Sequence, residues 1–472
     1  MLCKLPINKT VPKAAALILA VTFIVSGCIV GPNHSKPDTK IPAYWTGKSS
    51  RGSLDSRALN SWWMALDDRK LTSLINRAVD GNLSLRAASS RLLEARARRG
   101  VAGSARFPTI NATGNMTRSE FSRNARTPFP KGTVYSGGFD AGWELDLFGG
   151  IQRQVEAADA NIGARIADYG DVRVTLLAEV ALNYVEVRAY QGRLDVAEAN
   201  RDAQVKTLEL VQANVRAGEV SRLDLEQARA NLESTRSQIP TLQIGASRAR
   251  HRLAVLLGEP PASLDRELSK SRPIPVAPSN IAVGIPAEVL RRRPDVKRAE
   301  RELAAQCARV GIATAELYPK LKLIGTVGLE SLAANDFLTS SSRVFNVGPS
   351  VQWNIFSAGR VRQNIAIQSQ KQEQALVAYE AAILAALREV EDALVSYGKE
   401  MFRRDSLIKA ESATTRLVGI GRDQYRAGET SFLTVLDAER SLLRAQDLLT
   451  QSNAQVTTNV IMLYKALGGG WN

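Results

Sequence analysis

The chain has 472 residues, a formal net charge of +15, three cysteines and two histidines. The positive charge could point to nucleic acid, but the arginines are scattered among Glu and Asp through helix-patterned segments, which favours a solvated helix surface and argues against a nucleic-acid partner. With only His34 and His251, and no clustered ligands, the sequence predicts no metal site.

The N terminus has the layout of a lipoprotein signal. Three lysines precede an apolar run that ends in Ser26-Gly27-Cys28, and this ending resembles a bacterial lipobox, in which the cysteine is acylated and becomes the first residue. We therefore predict a signal peptide over residues 1–27, and a covalent lipid on Cys28 as the only bound group. The alternative is an ordinary signal peptide, with Cys28 merely near the cleavage point.

Residues 28–60 are predicted to form a lipidated stalk. Ile29 stands where an inner-membrane retention signal would usually place Asp, which implies sorting to the outer membrane. More than one acyl chain makes such an anchor stable. Export leaves Cys307 as the only free thiol, and its Ala-rich surroundings indicate helix packing rather than a nucleophile.

The first repeat, residues 61–258, begins with a short helix from Asn82 and continues with a β-hairpin over 109–147. Within this hairpin, apolar and polar residues alternate with a period of two from Thr109 to Arg118 and from Tyr135 to Leu147. Each segment has about ten residues, the length of a tilted strand that crosses a bilayer. The alternative is a strand pair of a soluble sandwich.

A long helical hairpin, residues 150–257, completes the first repeat. Its first helix should end at an Arg-Ala-Gly-Glu motif, where Gly218 can take the left-handed conformation that closes a helix. The returning helix should run to Leu256, with a kink or break at Pro240.

A Pro-rich linker, residues 259–285, leads to a second repeat over 286–472 with the same order of elements. A short helix opened by RRRPDVKRAE at Arg291 precedes a β-hairpin over 321–356 and a helical hairpin over 359–467. The motif RAGEVSRLDLEQARANL at Arg216 returns 210 residues later as RAGETSFLTVLDAERSL at Arg426. Nearly the whole mature chain is therefore a duplication.

Four strands predict an oligomer. An open sheet edge cannot survive in hydrocarbon, because its N–H and C=O groups would lack partners, and four strands cannot close a barrel. Two copies are the geometric minimum and three copies give about twelve strands. Physical reasoning leaves this choice open, and the fold class is mainly α with membrane β.

Seven motifs in order resemble the outer membrane factors, and within them the lipoprotein efflux subfamily. They are SWWMALDD at Ser61, WELDLFGG at Trp143, the Arg216 motif, LLGEPP at Leu256, RRRPDVKRAE at Arg291, NVGPSVQWNIF at Asn346 and LYKALGGGW at Leu463. The resemblance implies a homotrimer with a shared twelve-stranded outer-membrane barrel, continuous with a periplasmic tunnel of twelve helices. It further implies an exit duct, served by a periplasmic adaptor and an inner-membrane pump of the RND type.

The resemblance also assigns two sites. The hairpin tips of the family receive the adaptor, and the matching residues here are Ala217, Gly218, Glu219 and Ser221 with Ala427, Gly428, Glu429 and Ser431. The alternative is that these residues only terminate helices. The family narrows its tunnel just above the second tip, at positions that correspond to Leu433, Asp437 and Arg440.

The three gate positions share one helix face, because they are spaced four and three residues apart. In a trimer each would form a ring, and a ring of carboxylates favours cations. Asp224 and Tyr425 match positions that hold the closed state in TolC-type members. Thr434 departs from that type, which has an aspartate there, so a doubled carboxylate ring is not expected. The alternative for Asp437 and Arg440 is an ordinary intrahelical ion pair of about 0.5 kcal/mol.

Other function classes are weighed against the channel. The sequence offers no nucleophile and base set and no phosphate loop, so an enzyme is not expected. A structural or adaptor coiled-coil lipoprotein would need no bilayer-length strands. Within the channel class, small-molecule and drug efflux is preferred, while metal-ion efflux and type I protein secretion remain alternatives.

Overall fold

The computed structural model describes residues 29–39, 41–46, 56–120, 122, 124, 132–276 and 283–471. The predicted signal peptide over 1–27 and the predicted lipidation site Cys28 lie outside the described residues. Parts of the predicted stalk, of the Pro-rich linker and of the loop between the first two strands also lie outside them.

The described elements follow the predicted order. The helices are α1 (Ser56–Asn60), α2 (Arg69–Gly81), α3 (Leu83–Ser104), α4 (Gly150–Ala217), α5 (Arg222–Leu256), α6 (Pro286–Arg292), α7 (Pro294–Ala315), α8 (Arg360–Arg426) and α9 (Phe432–Ala466). The strands are β1 (Thr109–Ser119), β2 (Gly132–Leu145), β3 (Lys320–Ser331) and β4 (Arg343–Gln352). No helix within the described ranges combines the length and the apolar character needed to cross a membrane.

The chain divides into two compact units. The first contains residues 92–165 and 299–379 with the N-terminal residues up to Asp38, and therefore all four strands. The second contains residues 39–91, 166–298 and 380–472. The boundaries between them fall inside α3, α4, α7 and α8.

The first unit is built around one antiparallel sheet with the strand order β1-β2-β3-β4. The second β-hairpin is predicted to extend to residue 356, but β4 ends at Gln352 opposite Lys320. The residue that would pair with Trp353 is Pro319, which immediately precedes β3 and has no N–H to donate to the sheet. The indole of Trp353 instead donates to the carbonyl of Leu317, at 3.0 Å.

The sheet has one apolar and one polar face. Neighbouring strands align one apolar row, formed by Ala112, Phe139, Val327 and Phe345. The adjacent row is polar and contains Asp140, whose carboxylate accepts hydrogen bonds from Thr113 and Thr326 at 3.0 and 2.9 Å. Phe345 is 79% exposed. The single chain therefore leaves its apolar sheet face uncovered.

The second unit has a core of helix side chains. Helix α4 carries an apolar stripe at spacings of three and four residues, and its members Leu177, Ala181, Tyr184 and Val187 are fully covered. These side chains belong to one cluster with Trp62 and with residues of α2 and α5. The spacing places the stripe on one face of the helix, which is its packed face.

Pro240 does not break its helix. Helix α5 runs without interruption from Arg222 to Leu256 with the proline inside it. Ile239 and Leu242, on either side of the proline, are buried in a cluster with Ala197 of α4. This packing holds the helix together despite the hydrogen bond that proline removes.

The short helix of the second repeat also begins later than predicted. A separate helix, α6, ends at Arg292, and α7 starts at Pro294 rather than at Arg291. Arg293 between them is extended, as expected for a residue before proline. Its buried guanidinium bonds to Asp295, Glu389 and the carbonyl of Ala466.

The duplication is visible in the backbone. Helices α4 and α8 have 68 and 67 residues, and α5 and α9 have 35 residues each. Glycines with positive φ recur at the same interval of 210 residues, in the pairs Gly149 and Gly359, Gly218 and Gly428, and Gly258 and Gly468. The two halves therefore reverse direction at corresponding positions.

Candidate functional site

Both helical hairpins turn with the same backbone geometry. At the first tip the N–H groups of Gly218 and Glu219 donate to Val215 and Asn214, at 3.1 and 2.9 Å. The second tip repeats these bonds from Gly428 and Glu429, at 3.1 and 2.9 Å. This is the Schellman arrangement, in which a left-handed residue closes a helix. A side chain at either glycine would meet open space, so only its positive φ demands glycine.

The predicted docking residues lie on the surface of the tips. All eight are exposed, namely Ala217, Gly218, Glu219, Ser221, Ala427, Gly428, Glu429 and Ser431. Their backbone is fixed by the turns, so the tips present preformed surfaces.

The two tips differ in how the returning helix begins. Ser221 accepts a hydrogen bond from the N–H of Asp224, and the carboxylate of Asp224 accepts from the N–H of Ser221, which completes a capping box. Ser431 makes no side-chain cap bond. The residue that corresponds to Asp224 is Thr434, whose hydroxyl accepts a hydrogen bond from the hydroxyl of Thr430 instead, at 3.1 Å.

The predicted gate residues are brought together on α9. Leu433 is half exposed, and the side chains of Asp437 and Arg440 are 66% and 54% exposed. The nearest charged atoms of Asp437 and Arg440 are 4.0 Å apart, at the limit of an ion pair. An ion pair so exposed to solvent contributes little to stability. Both charges therefore remain available to a neighbouring chain or a solute.

Arg440 has a second partner that the sequence did not reveal. Its Nε donates to Oδ1 of Asn231 at 3.1 Å, and Asn231 is 5% exposed on α5 of the first hairpin. The first repeat therefore holds a predicted gate residue of the second. The sequence signal that could have revealed this partner was Asn231 itself, a polar residue on a mostly apolar face of α5.

Glu439 was also missed. It is 4% exposed and accepts hydrogen bonds from the guanidinium of Arg422 on α8, at 2.8 Å, and from the hydroxyl of Thr207 on α4, at 3.0 Å. The apolar spacing of α9 could have placed it inside, because Phe432, Val435 and Leu436 are also buried on that face. One buried carboxylate thus connects the two hairpins.

The structure does not join Tyr425 to Asp224 by a hydrogen bond, as far as the described residues extend. Asp224 is engaged with Ser221, and Tyr425 packs on Phe432 with ring centroids 5.6 Å apart. Burial raises the pKa of Tyr425, and the negative charge of Asp224 acts in the same direction. The two residues are close enough to interact electrostatically, while the carboxylate of Asp224 bonds locally to Ser221.

Within the described ranges, no group of three or more His, Cys, Asp or Glu side chains is placed to hold a metal ion.

An amphipathic four-stranded sheet and duplicated long helical hairpins define a class, the channels of the bacterial outer membrane. Such a channel lies in the outer membrane, extends into the periplasm and works as a trimer with an adaptor and an inner-membrane pump. The chain belongs to the outer membrane efflux protein family, whose model matches residues 74–259 and 285–469. The two matched segments correspond to the two repeats.

Individual relatives cover the chain from end to end. It is 31% identical to the pyoverdine export outer membrane protein OpmQ of Pseudomonas aeruginosa, over 96% of both chains. It is also 31% identical to the cation efflux system protein CusC of Escherichia coli, over 96% of this chain and 98% of CusC. The solved outer-membrane channel OprN is 36% identical, with a TM-score of 0.88 over 94% of this chain and all of OprN.

The prediction of an outer-membrane efflux channel is therefore confirmed. The alternative of a structural or adaptor lipoprotein is set aside, because the family consists of transport channels.

Proposed function

We propose that this chain is the passive exit duct of an efflux system driven by an RND-type pump, with small organic molecules as its cargo and no catalytic step of its own. The export of pyoverdine named for OpmQ supports this choice. CusC is named for cation efflux at the same identity, and an exposed carboxylate at the constriction also favours cations, so cation efflux is the second candidate.

Leu433, Asp437 and Arg440 form the gate of this duct. The observation that carries the proposal is their common exposed face one to two turns above the second tip, and the two charged positions of this face are uncharged in the first repeat. The positions that correspond to Asp437 and Arg440 are Gln227 and Ala230. In a trimer the three gate residues become rings, and Asn231 holds each guanidinium near its carboxylate.

The exposed tips bind the periplasmic adaptor. Both repeats present the same Ala-Gly-Glu turn, so one adaptor surface can recognise six tips in a trimer. Cys28 carries the acyl anchor, which adds a second attachment to the membrane beside the strands.

Planar-bilayer recordings test the gate. Asp437→Ala removes the repelling and cation-selecting ring, so the resting single-channel conductance should rise and the selectivity for cations should fall. Gln227→Ala alters the corresponding position of the first hairpin and should leave both values unchanged. An unchanged conductance in Asp437→Ala would exclude this residue from the constriction.

Crosslinking in cells tests the partners. A photoreactive residue at Glu219 or Glu429 should capture a periplasmic adaptor, and the complex should contain an RND-type pump. Copurification of an ABC exporter would instead support type I protein secretion.

A further inference from the structure

The first described residues of the chain are held against the turn that joins β2 to α4. The N–H of Val30 donates to the carbonyl of Phe148 at 3.2 Å. A side chain on Gly149 would lie 3.0 Å from the Cα of Ile29, so the two segments are in close contact. The residue that follows Cys28 in the sequence is therefore fixed to the sheet end of the first repeat.

A buried arginine organises this contact. Arg153 lies in the first turn of α4, and its side chain is 3% exposed. Its guanidinium donates to the carbonyls of Val30 and Gly31 at 3.1 and 3.2 Å, and to Oδ1 of Asn33 at 2.7 Å. Glu156 accepts a further bond at 2.7 Å and balances the charge. Three hydrogen bonds of one rigid guanidinium thus hold one short segment, and a fourth is made to Glu156.

On its other side, the segment of residues 30–33 packs closely against α7. Gly31 has a φ of +87°, and a side chain there would come within 2.5 Å of the Cα of Gly311 on α7. The carbonyl of Pro32 faces Sγ of Cys307 at 3.6 Å. Two glycine backbones and one guanidinium therefore enclose residues 30–33.

The arginine of this site occurs in one repeat only. The residue that corresponds to Arg153 in the second repeat is Gln363, whereas Gly311 corresponds to Gly100 in the first repeat, because α3 and α7 are 211 residues apart. Gln363 and Gly100 are both exposed. Because the chain has a single N-terminal segment, only one of the two repeats needs the arginine that binds it.

The bound segment lies at the end of the sheet that carries exposed aromatic residues. Trp143 and Trp353 stand near the ends of β2 and β4, and each indole donates to a backbone carbonyl just before β1 or β3. Tryptophan at such positions marks the boundary between membrane and water.

We propose that Arg153 is a positioning residue for the lipid anchor. By fixing residues 30–33 at the sheet end, it directs the acyl chains of Cys28 into the bilayer beside β2, so that the lipid guides insertion of the sheet rather than serving as a loose tether. This inference rests on the proposed acylation of Cys28.

The test compares two variants in two backgrounds. Arg153→Met removes the donors, and Gly31→Ala prevents docking sterically while Arg153 stays in place. Each is made in the acylated chain and in a chain with Cys28→Ala behind a non-lipoprotein signal peptide. Pulse-labelling measures the rate at which new chains become heat-modifiable trimers in the outer membrane.

In the acylated background, both variants should slow assembly to the rate of the Cys28→Ala chain. In the non-acylated background neither should slow it further, because the lipid they position is absent. Arg362→Met, at an exposed arginine in the first turn of α8, is the control and should have no effect in either background. Equal slowing by Arg153→Met in both backgrounds would show a purely structural role and overturn the proposal.

Mass spectrometry of the mature N-terminal peptide separates this result from a failure of the proposed function. An unmodified Cys28 in the parent chain would refute acylation itself. If Cys28 is acylated but the rate of trimer assembly is unchanged by Arg153→Met and Gly31→Ala, only the positioning role is refuted.

Discussion

Two carboxylates on α9, two residues apart, have opposite environments. Asp437 is mostly exposed at the proposed gate, whereas Glu439 is buried between Arg422 and Thr207. A helix that carries a charge on its packed face needs a partner for it, because an uncompensated buried charge is costly. The tip therefore separates an exposed charge, which we propose acts in transport, from a buried charge that connects the two hairpins.

Glu439→Ala should loosen the connection between the hairpins. It leaves Arg422 and the hydroxyl of Thr207 without their acceptor, at a cost of about 1–3 kcal/mol. Hydrogen exchange in detergent should show lower local opening free energies around residues 203–211 and 419–426. Glu226→Gln changes an exposed carboxylate that pairs with Arg229 of the same helix, so protection there should stay near the parent value. Parent-like protection in Glu439→Ala would show that the buried bonds contribute nothing.

The sequence located the exposed charges but not their partners. Spacings of three and four place Leu433, Asp437 and Arg440 on one face, and the structure agrees. Asn231, the partner of Arg440, comes from the other repeat, more than 200 residues away. The same is true of Thr207, a partner of the buried Glu439. Helix periodicity describes a face and carries no information about what packs against it.

At the level of elements, the two hairpins share a turn but differ in their caps. Their Schellman bonds match to within 0.1 Å, while only the first returning helix has a capping box. Asp224 and Thr434 occupy corresponding positions, so one side chain accounts for the difference. Capping contributes about 1 kcal/mol to a helix start.

Ser221→Ala should therefore destabilise the start of α5 by about 1 kcal/mol, whereas Ser431→Ala should change the start of α9 by much less. Thr434→Asp should create the missing box and protect α9. Amide exchange of residues 222–226 and 432–436 measures these effects. Equal losses from both serine variants would mean that the tip turn, rather than the cap, determines how each helix begins.

Helix extents were predictable because long stretches keep one apolar period without interruption. Proline was harder to interpret. Pro240 stays inside α5 because neighbouring side chains are packed, and Pro294 begins α7 because its predecessor Arg293 is bound in an extended conformation. The local rule for proline is the same in both cases, and tertiary contacts decide the outcome.

For the whole molecule, the uncovered apolar face of the sheet shows that one chain is incomplete. Strand alternation and length predicted membrane strands and the need for several copies. The number of copies followed from family membership, because two and three chains both satisfy the backbone argument. Symmetry is a property of the assembled interface and leaves no period in one sequence.

Phe345 and Asn346 are neighbours on β4 that point to opposite faces. Phe345→Arg places a charge on the apolar face, at a cost of about 2–4 kcal/mol in a bilayer. Heat-modifiable trimers in the outer-membrane fraction should therefore decrease strongly. Asn346→Arg places the same charge on the polar face and should assemble normally. A reversed pattern would assign the lipid-facing side to the polar row.

The matched lengths of the repeats have a consequence for how such a chain can evolve. Side chains at corresponding positions have diverged, but α5 and α9 still have 35 residues each, and the left-handed glycines keep one interval. The two hairpins must keep equal helix lengths, since one extra helical turn would displace a tip by about 5.4 Å. An insertion in one half must be copied in the other before both tips can again meet a common partner, so point substitution is the easier route to new specificity.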